Sequence, residues 1–334
     1  MSDQNRSNLK GVGLALTAFA IFATHDVAVK LLGQTFLPFQ IIFFSVLLGF
    51  PLATVMLMRD PQPGTLRPLH PWWMALRAGA STLTGISAFY AFSTLPLAQV
   101  YAFLFASPIL ITLLAIPILG EKVGLFRGTA VVVGLFGVII LLRPGGSPIS
   151  LGHIAALVAA AGSATTEVVT RKIGREERAV VMVLYPMIAA FVLNAAFLPF
   201  VYVPMPLSAL GLEVVVAVLG FLGMLLTVGA YRAAPAAVVA PLQYSQLVWA
   251  VIYGALLFDE TVDLMTWIGA GIIVSSGLVI VFREAFGGGS ETRPVIETKR
   301  RPESIAPRVG TILMARATRS YPGHEALAKP GRAE

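Results

Sequence analysis

Ten apolar stretches, each about as long as a bilayer is thick, take up most of this 334-residue chain. They run Leu9–Val29, Leu37–Met58, Trp72–Phe92, Leu97–Leu119, Phe126–Leu142, Leu151–Thr170, Val180–Val203, Leu212–Tyr231, Ala236–Phe258 and Met265–Phe282. A helix of about 20 residues is roughly 30 Å long, which matches the hydrocarbon core of a membrane. Inside that core every backbone amide must find its partner within the chain, and for segments of this length the helix is the solution. Composition points the same way: 57% of residues are hydrophobic and only 12% charged, where a soluble domain carries about 25% charged. The fold expected is an all-α membrane protein with ten transmembrane helices.

Charge sets the expected orientation. With the amino terminus inside, the cytoplasmic segments before the tail hold eleven Lys and Arg residues, and the external ones hold only Lys30 and Arg143. Basic loops stay on the cytoplasmic side, so both termini are expected there, in a multi-pass protein of a bacterial inner membrane. The first apolar stretch is too long for the core of a cleaved signal and is expected to remain as a span. From Ala285 onward, nine Lys and Arg against five Glu, with few aromatics, predict a disordered basic tail. The basic residues lie between apolar runs and in that tail, so they do not form a nucleic-acid surface.

An internal repeat divides the rest. Gly11–Gly33 aligns with Gly152–Gly174 at an offset of 141, pairing Asp26 with Glu167 and Lys30 with Arg171. At an offset of 139, Pro96-Leu-Ala98 meets Pro235-Ala-Ala237, and Leu119-Gly-Glu121 meets Phe258-Asp-Glu260. Each copy holds five spans. An odd number places the second copy upside down, giving two inverted five-helix repeats, an architecture common to secondary transporters. The expected organisation is a cytoplasmic segment 1–8, repeat one 9–143, repeat two 151–284 and the tail 285–334.

Two five-span halves, each with a Pro-containing fourth span, a Gly-Glu or Asp-Glu junction and a Gly-rich last span, resemble the EamA domains of the drug/metabolite transporter superfamily. The stretches that carry the resemblance are Pro96 to Arg143 and Pro235 to Arg283, and it covers about residues 9–284. The Thr24–Lys30 run followed by Phe39–Phe44 is similar to bacterial members that include riboflavin carriers. Many of those relatives carry an arginine just after such aromatics, and here Ser45 stands in its place. The resemblance implies a carrier of a small polar metabolite: a riboflavin-like vitamin, an amino acid or a related compound such as S-adenosylmethionine.

Ionisable groups inside spans are costly and so mark function. Asp26 and Glu167 each lie about one turn inside a helix end, at opposite faces of the membrane, and each stands four residues before a cation, Lys30 or Arg171. That spacing allows two readings: a local ion pair that lets a helix end snorkel, or a gating or proton-coupling pair. Near the middle of the fourth and ninth spans lie Ser107 and Pro108, and Gln243, Tyr244 and Gln246 after Pro241. A proline frees a carbonyl, and with the amides and phenol this offers a polar solute neutral partners; interhelical glue is the other reading. Arg77 reads as a structural cation, and Glu121 and Glu260 as residues at the start of the next helix.

No cysteine is present, the four histidines have no metal-ligand spacing, and no phosphate-binding loop or nucleophile–base pair occurs. No cofactor, metal or catalytic residue is expected. The function expected is secondary active transport by alternating access, with protons as a possible coupling ion; a passive channel and a broad-specificity exporter are the alternatives. The expected topology is testable with cysteines placed at Ser2 and Ser93. An impermeant maleimide on intact cells should label position 93 and spare position 2, and the reverse pattern would overturn the orientation.

Overall fold

The computed structural model describes residues 3–58, 65–120, 125–142, 149–174, 176–234 and 236–286. The tail after Phe286, Glu121 and Arg143, on which expectations were placed, lie outside these residues. Among the described residues the secondary structure is helical throughout, with no strand. In chain order the first half comprises α1 (Asp3–Gly33), α2 (Pro38–Met58), α3 (Pro71–Thr94), α4 (Leu97–Leu104), α5 (Ser107–Leu119) and α6 (Leu125–Leu142). The second comprises α7 (Leu151–Ile173), α8 (Ala179–Val201), α9 (Leu207–Ala233), α10 (Ala236–Val239), a 3-10 turn (Ala240–Tyr244), α11 (Ser245–Phe258) and α12 (Leu264–Phe286).

Five helical segments are both long and apolar enough to cross a membrane: Leu9–Gly33, Leu97–Leu119, Leu151–Ile173, Val180–Val201 and Leu207–Tyr231. Shorter apolar runs occupy Pro38–Pro51, Gly128–Leu142 and Leu264–Ile280. The exterior is unusually greasy: Leu125, Trp72, Phe200 and Leu207 are each more than four-fifths exposed. A surface this apolar is suited to lipid rather than water.

The fourth and ninth apolar stretches are each locally broken, where the sequence places a proline. The fourth is interrupted at Phe105–Ala106, between α4 and α5, and the ninth by the 3-10 turn between α10 and α11. Prolines are the cause. Pro108 has no amide hydrogen for the Leu104 carbonyl, four residues back. The Ser107 hydroxyl takes that carbonyl instead, at 2.6 Å, and the chain restarts as a new helix. Pro241 sits in the 3-10 turn of the second break.

Packing follows an exchange between the halves. α1 lies along α9 and α7 along α3, while α2 packs on α8 and α6 on α12. Gly11, near the start of α1, meets Ala234 so closely that a Cβ there would lie 2.3 Å from the Ala234 Cβ. Gly152, at the start of α7, meets Thr94 and Leu95 in the same way, at 2.5 and 2.9 Å. These are the positions the repeat aligns: Gly11 with Gly152, and the residues just before Pro96 and Pro235. α7 thus begins beside the end of α3, where α1 stops against Ser93. The main apolar cluster gathers Val29, Leu32, Phe103, Ile109 and Ile273 between the halves. A smaller one, with Met74, Val169 and Val181, lies at the other end of α3 and α7.

α6 and α12 approach through glycine: a Cβ on Gly137 would lie 3.0 Å from the Gly269 carbonyl oxygen and 2.9 Å from Ile273. Backbone cannot step aside as a side-chain tip can. Gly137→Val should therefore destabilise the protein by about 1–3 kcal/mol, measured by thermal unfolding in detergent. Gly271→Val, where nothing lies within 4 Å, should melt near wild type.

Candidate functional site

The helix breaks bring polar groups of both halves together around α1. Asp26, on α1, is largely buried, with its side chain 15% exposed. Its Oδ1 lies 2.7 Å from Nδ1 of His25, and its Oδ2 accepts the hydroxyl proton of Tyr101 from α4. The side chain of Gln246, in the first turn of α11, lies beside the same tyrosine hydroxyl. Two residues before Asp26 on α1, the Thr24 hydroxyl is 3.0 Å from that of Tyr253 on α11. The result is a hydrogen-bonded group, His25–Asp26–Tyr101, that joins α1 to α4, while Thr24 and Tyr253, with Gln246 close by, carry the polar contacts on to α11 of the second half.

Roughly 6 Å further along α1, Lys30 closes the end of the molecule. Its ammonium lies 2.7 Å from Oε1 of Glu260 and donates to the Leu95 carbonyl at 2.5 Å, with the Phe258 ring 5.1 Å away. The other oxygen of Glu260 accepts the Leu97 amide at 2.9 Å. Leu97 opens α4, and its amide is one of the donors that a helix start leaves without an intrahelical partner. A carboxylate there is favoured by both the hydrogen bond and the helix dipole.

Two expectations are corrected by this geometry. Lys30 pairs with Glu260 and not with Asp26, although Asp26 stands at the favourable helical spacing. The reason is the short Ser93–Pro96 connection, which carries a bare carbonyl and the start of α4 to the ammonium, with Glu260 between them. Glu260, in turn, caps α4 and not the helix that follows it. α12 is served by Asp263, whose Oδ1 accepts the Thr266 amide at 2.7 Å.

The remaining candidates separate. Ser107 and Pro108 form the break itself, and the Ser107 hydroxyl is engaged with the Leu104 carbonyl. Gln243 is half-buried on the 3-10 turn. Tyr244 is buried, its ring edge-on to Phe105 at 4.9 Å and its hydroxyl turned against Gly277, with no hydrogen-bond partner among the described residues. Glu167 is exposed on α7 and Arg171 is half-buried. The repeat-related carboxylates thus have different surroundings, buried for Asp26 and open for Glu167. Arg77 bridges α3 to α7 and α8, donating to Thr170 Oγ1 at 2.8 Å and the Met182 carbonyl at 2.5 Å.

Sequence reasoning missed Tyr101, His25 and Glu213. Tyr101 and His25 carry no local signal, because their partners come from a neighbouring residue's rotamer and a distant helix. Glu213 was placed at the edge of a span starting at Leu212. α9 begins at Leu207, so Glu213 lies nearly two turns inside it, a boundary that Pro204 and Pro206 would have marked.

The EamA-like transporter family model matches this chain twice, over residues 9–143 and 150–282. An uncharacterized transporter of Helicobacter pylori is 25% identical over 292 residues, 81% of this chain and 94% of that one. An S-adenosylmethionine uptake transporter of Rickettsia bellii is 25% identical over 288 residues, covering 85% and 97%. A pseudopaline exporter of Pseudomonas aeruginosa is 26% identical over 267 residues, covering 79% and 93%. A protein of known crystal structure superposes with a TM-score of 0.53 at 19% identity, over 82% of this chain and 96% of that one, which shows a shared fold.

The ion pair makes a quantitative claim. Lys30→Met leaves Glu260 buried without its cation, and breaking a buried pair costs about 3–5 kcal/mol. Glu260→Gln should cost less than that, since an amide oxygen can still accept the Leu97 amide. The double variant should be clearly more stable than the sum of the two losses predicts. Strict additivity in thermal unfolding would show that the two side chains do not interact.

Proposed function

Because the chain belongs to the EamA-like transporter family, we propose that it is a secondary carrier that moves a small polar solute across a bacterial inner membrane by alternating access. The observation that carries the reading is the junction of Lys30, Glu260 and the Leu97 amide. It ties the first half to the second at one end of the molecule, above a polar group contributed by both halves. A carrier needs such a contact, one that closes one face and can be released while the opposite face shuts.

In this reading the ten spans form two inverted repeats, residues 9–143 and 151–284, with both termini cytoplasmic. The exchange of partners between α1–α9 and α7–α3 supports the inversion, as does the matching of one family model to both halves. Lys30 and Glu260 form the external gate, and Asp26 beneath them answers to protons or solute through His25 and Tyr101. Arg171 and Glu167 serve the cytoplasmic face, where His70 Nε2 lies 2.6 Å from Glu176 and links the α3 start to the α7–α8 connection. The solute is bound by Gln246 and Gln243 beside the two helix breaks, at Ser107–Pro108 and at the turn that ends in Tyr244. S-adenosylmethionine is the solute named for Rickettsia relatives that match over most of this chain, so it is the first to test, with amino acids and riboflavin after it.

Counterflow in proteoliposomes distinguishes a carrier from a passive channel, because only a carrier exchanges internal for external solute against a gradient. Gln246→Ala should raise the half-saturation concentration about 2- to 13-fold, the effect of one neutral hydrogen bond. Tyr244→Phe, which loses a hydroxyl buried against Gly277, should transport as wild type does. Equal half-saturation in wild type and Gln246→Ala would remove this residue from the solute site.

A further inference from the structure

A buried acid outside the Asp26 group has no counterion among the described residues. Glu213 on α9 is 0% exposed. The Ser45 hydroxyl from α2 donates to its Oε2 at 2.9 Å, and Oε1 has no hydrogen-bond partner among the described residues. One turn on, Val216 joins the apolar cluster of Val29, Leu32 and Ile41.

The charges around it are few and engaged elsewhere. α1, α2 and α10 pack against α9. α2 and α10 carry no Asp, Glu, His, Lys or Arg, and neither does α8 beyond α2, where Tyr185 is the titratable residue. α1 supplies Lys30, held by Glu260, and His25, held by Asp26; its other charged residues, Asp3, Arg6 and Lys10, lie at its far end. The His25 ring faces Gly220 of α9, two turns and about 10 Å along the helix from Glu213. On α9 itself, Tyr231 and Arg232 lie at the opposite end. A bare carboxylate in such surroundings is costly, whereas a carboxylic acid donating or accepting one hydrogen bond is tolerated.

The route to water is latched. Gln40, five residues before Ser45 on α2, grips the α8–α9 connection with two bonds: its Nε2 donates to the Val203 carbonyl at 2.7 Å, and its Oε1 accepts the Val203 amide at 2.9 Å. Gln40 is itself fully buried.

We propose that Glu213 is a proton-binding site of this transporter: a carboxylic acid hydrogen-bonded to Ser45 in the arrangement seen here, which yields its proton to water when the α2–α9 seam opens beneath the Gln40–Val203 clasp. In that step the carboxyl O–H bond breaks, the electron pair stays on Glu213 and the proton passes to water; the reverse step reloads it from the acidic side of a proton gradient. The use of the proton rests on the transport reading above, while the site itself does not.

Infrared spectroscopy of the full chain in lipid at neutral pH reads the site without any solute. Wild type should show a protonated-carboxyl band that disappears in Glu213→Gln and moves to higher frequency in Ser45→Ala, where the carboxyl loses its donor. In proteoliposomes supplied with S-adenosylmethionine, Glu213→Gln should retain exchange and lose accumulation driven by a pH gradient. A carboxyl band unchanged in both variants overturns the proton site, and if Glu213→Gln fails to fold, the band in Ser45→Ala decides alone. Wild-type accumulation by Glu213→Gln overturns its coupling. If wild type exchanges no solute, the transport reading fails, while the infrared band still decides whether Glu213 binds a proton.

Discussion

A charge or an amide that leaves water has to be met inside the protein, and in this molecule that demand converges on Glu260. Its carboxylate faces Lys30 on one side and the first amide of α4 on the other. The lysine also takes the Leu95 carbonyl at the end of the α3–α4 connection. One acidic side chain therefore fixes the end of α1, the start of α4 and the connection after α11. Replacing it by an apolar group would leave a cation and a helix start unsatisfied together, and each unmet group of this kind costs about 1–3 kcal/mol or more. The junction holds the halves together at one end because neither half can satisfy its own groups.

The same rule explains why the polar centre lies where it does. Proline breaks a helix at a fixed cost in hydrogen bonds, and an apolar exterior gives the freed groups no water to turn to. The Leu104 carbonyl is taken by Ser107, and the second break winds into a 3-10 turn. The second interruption packs on α1, and Tyr101, from before the first, reaches Asp26, so Tyr101 and Gln246 meet there. Tyr244, from the turn itself, is instead used to fill the space over Gly277. Polar residues at one depth are thus divided between chemistry and packing by which way the broken helices turn.

Three carboxyl groups, those of Glu260, Asp26 and Glu213, leave water in different company. Glu260 has a cation and an amide, Asp26 has an imidazole and a phenol, and Glu213 has a single hydroxyl. A fully paired acid is suited to holding a gate, and an acid with neutral partners to responding to solute or protons. An acid without a counterion is suited to carrying a proton. These graded surroundings come from both halves: Asp26 on α1, Glu213 on α9 and Glu260 in the connection between α11 and α12.

Much of the architecture was legible in the chain alone. Apolar run lengths, basic loop bias and the repeat that pairs Gly11 with Gly152 and Pro96 with Pro235 are local or periodic features. They indicated helices, a two-copy organisation and the family resemblance that the comparisons then established. Helix starts were legible where proline marked them, and Glu213 was missed where that mark went unused. The partners of charges were not legible. Helical spacing assigned Lys30 to Asp26, and the folded chain gave it to Glu260, 230 residues away. Spacing records which groups can meet along one helix. Which of them do meet is decided by the competing carbonyls, amides and carboxylates that other helices bring, and only the tertiary structure assembles that competition.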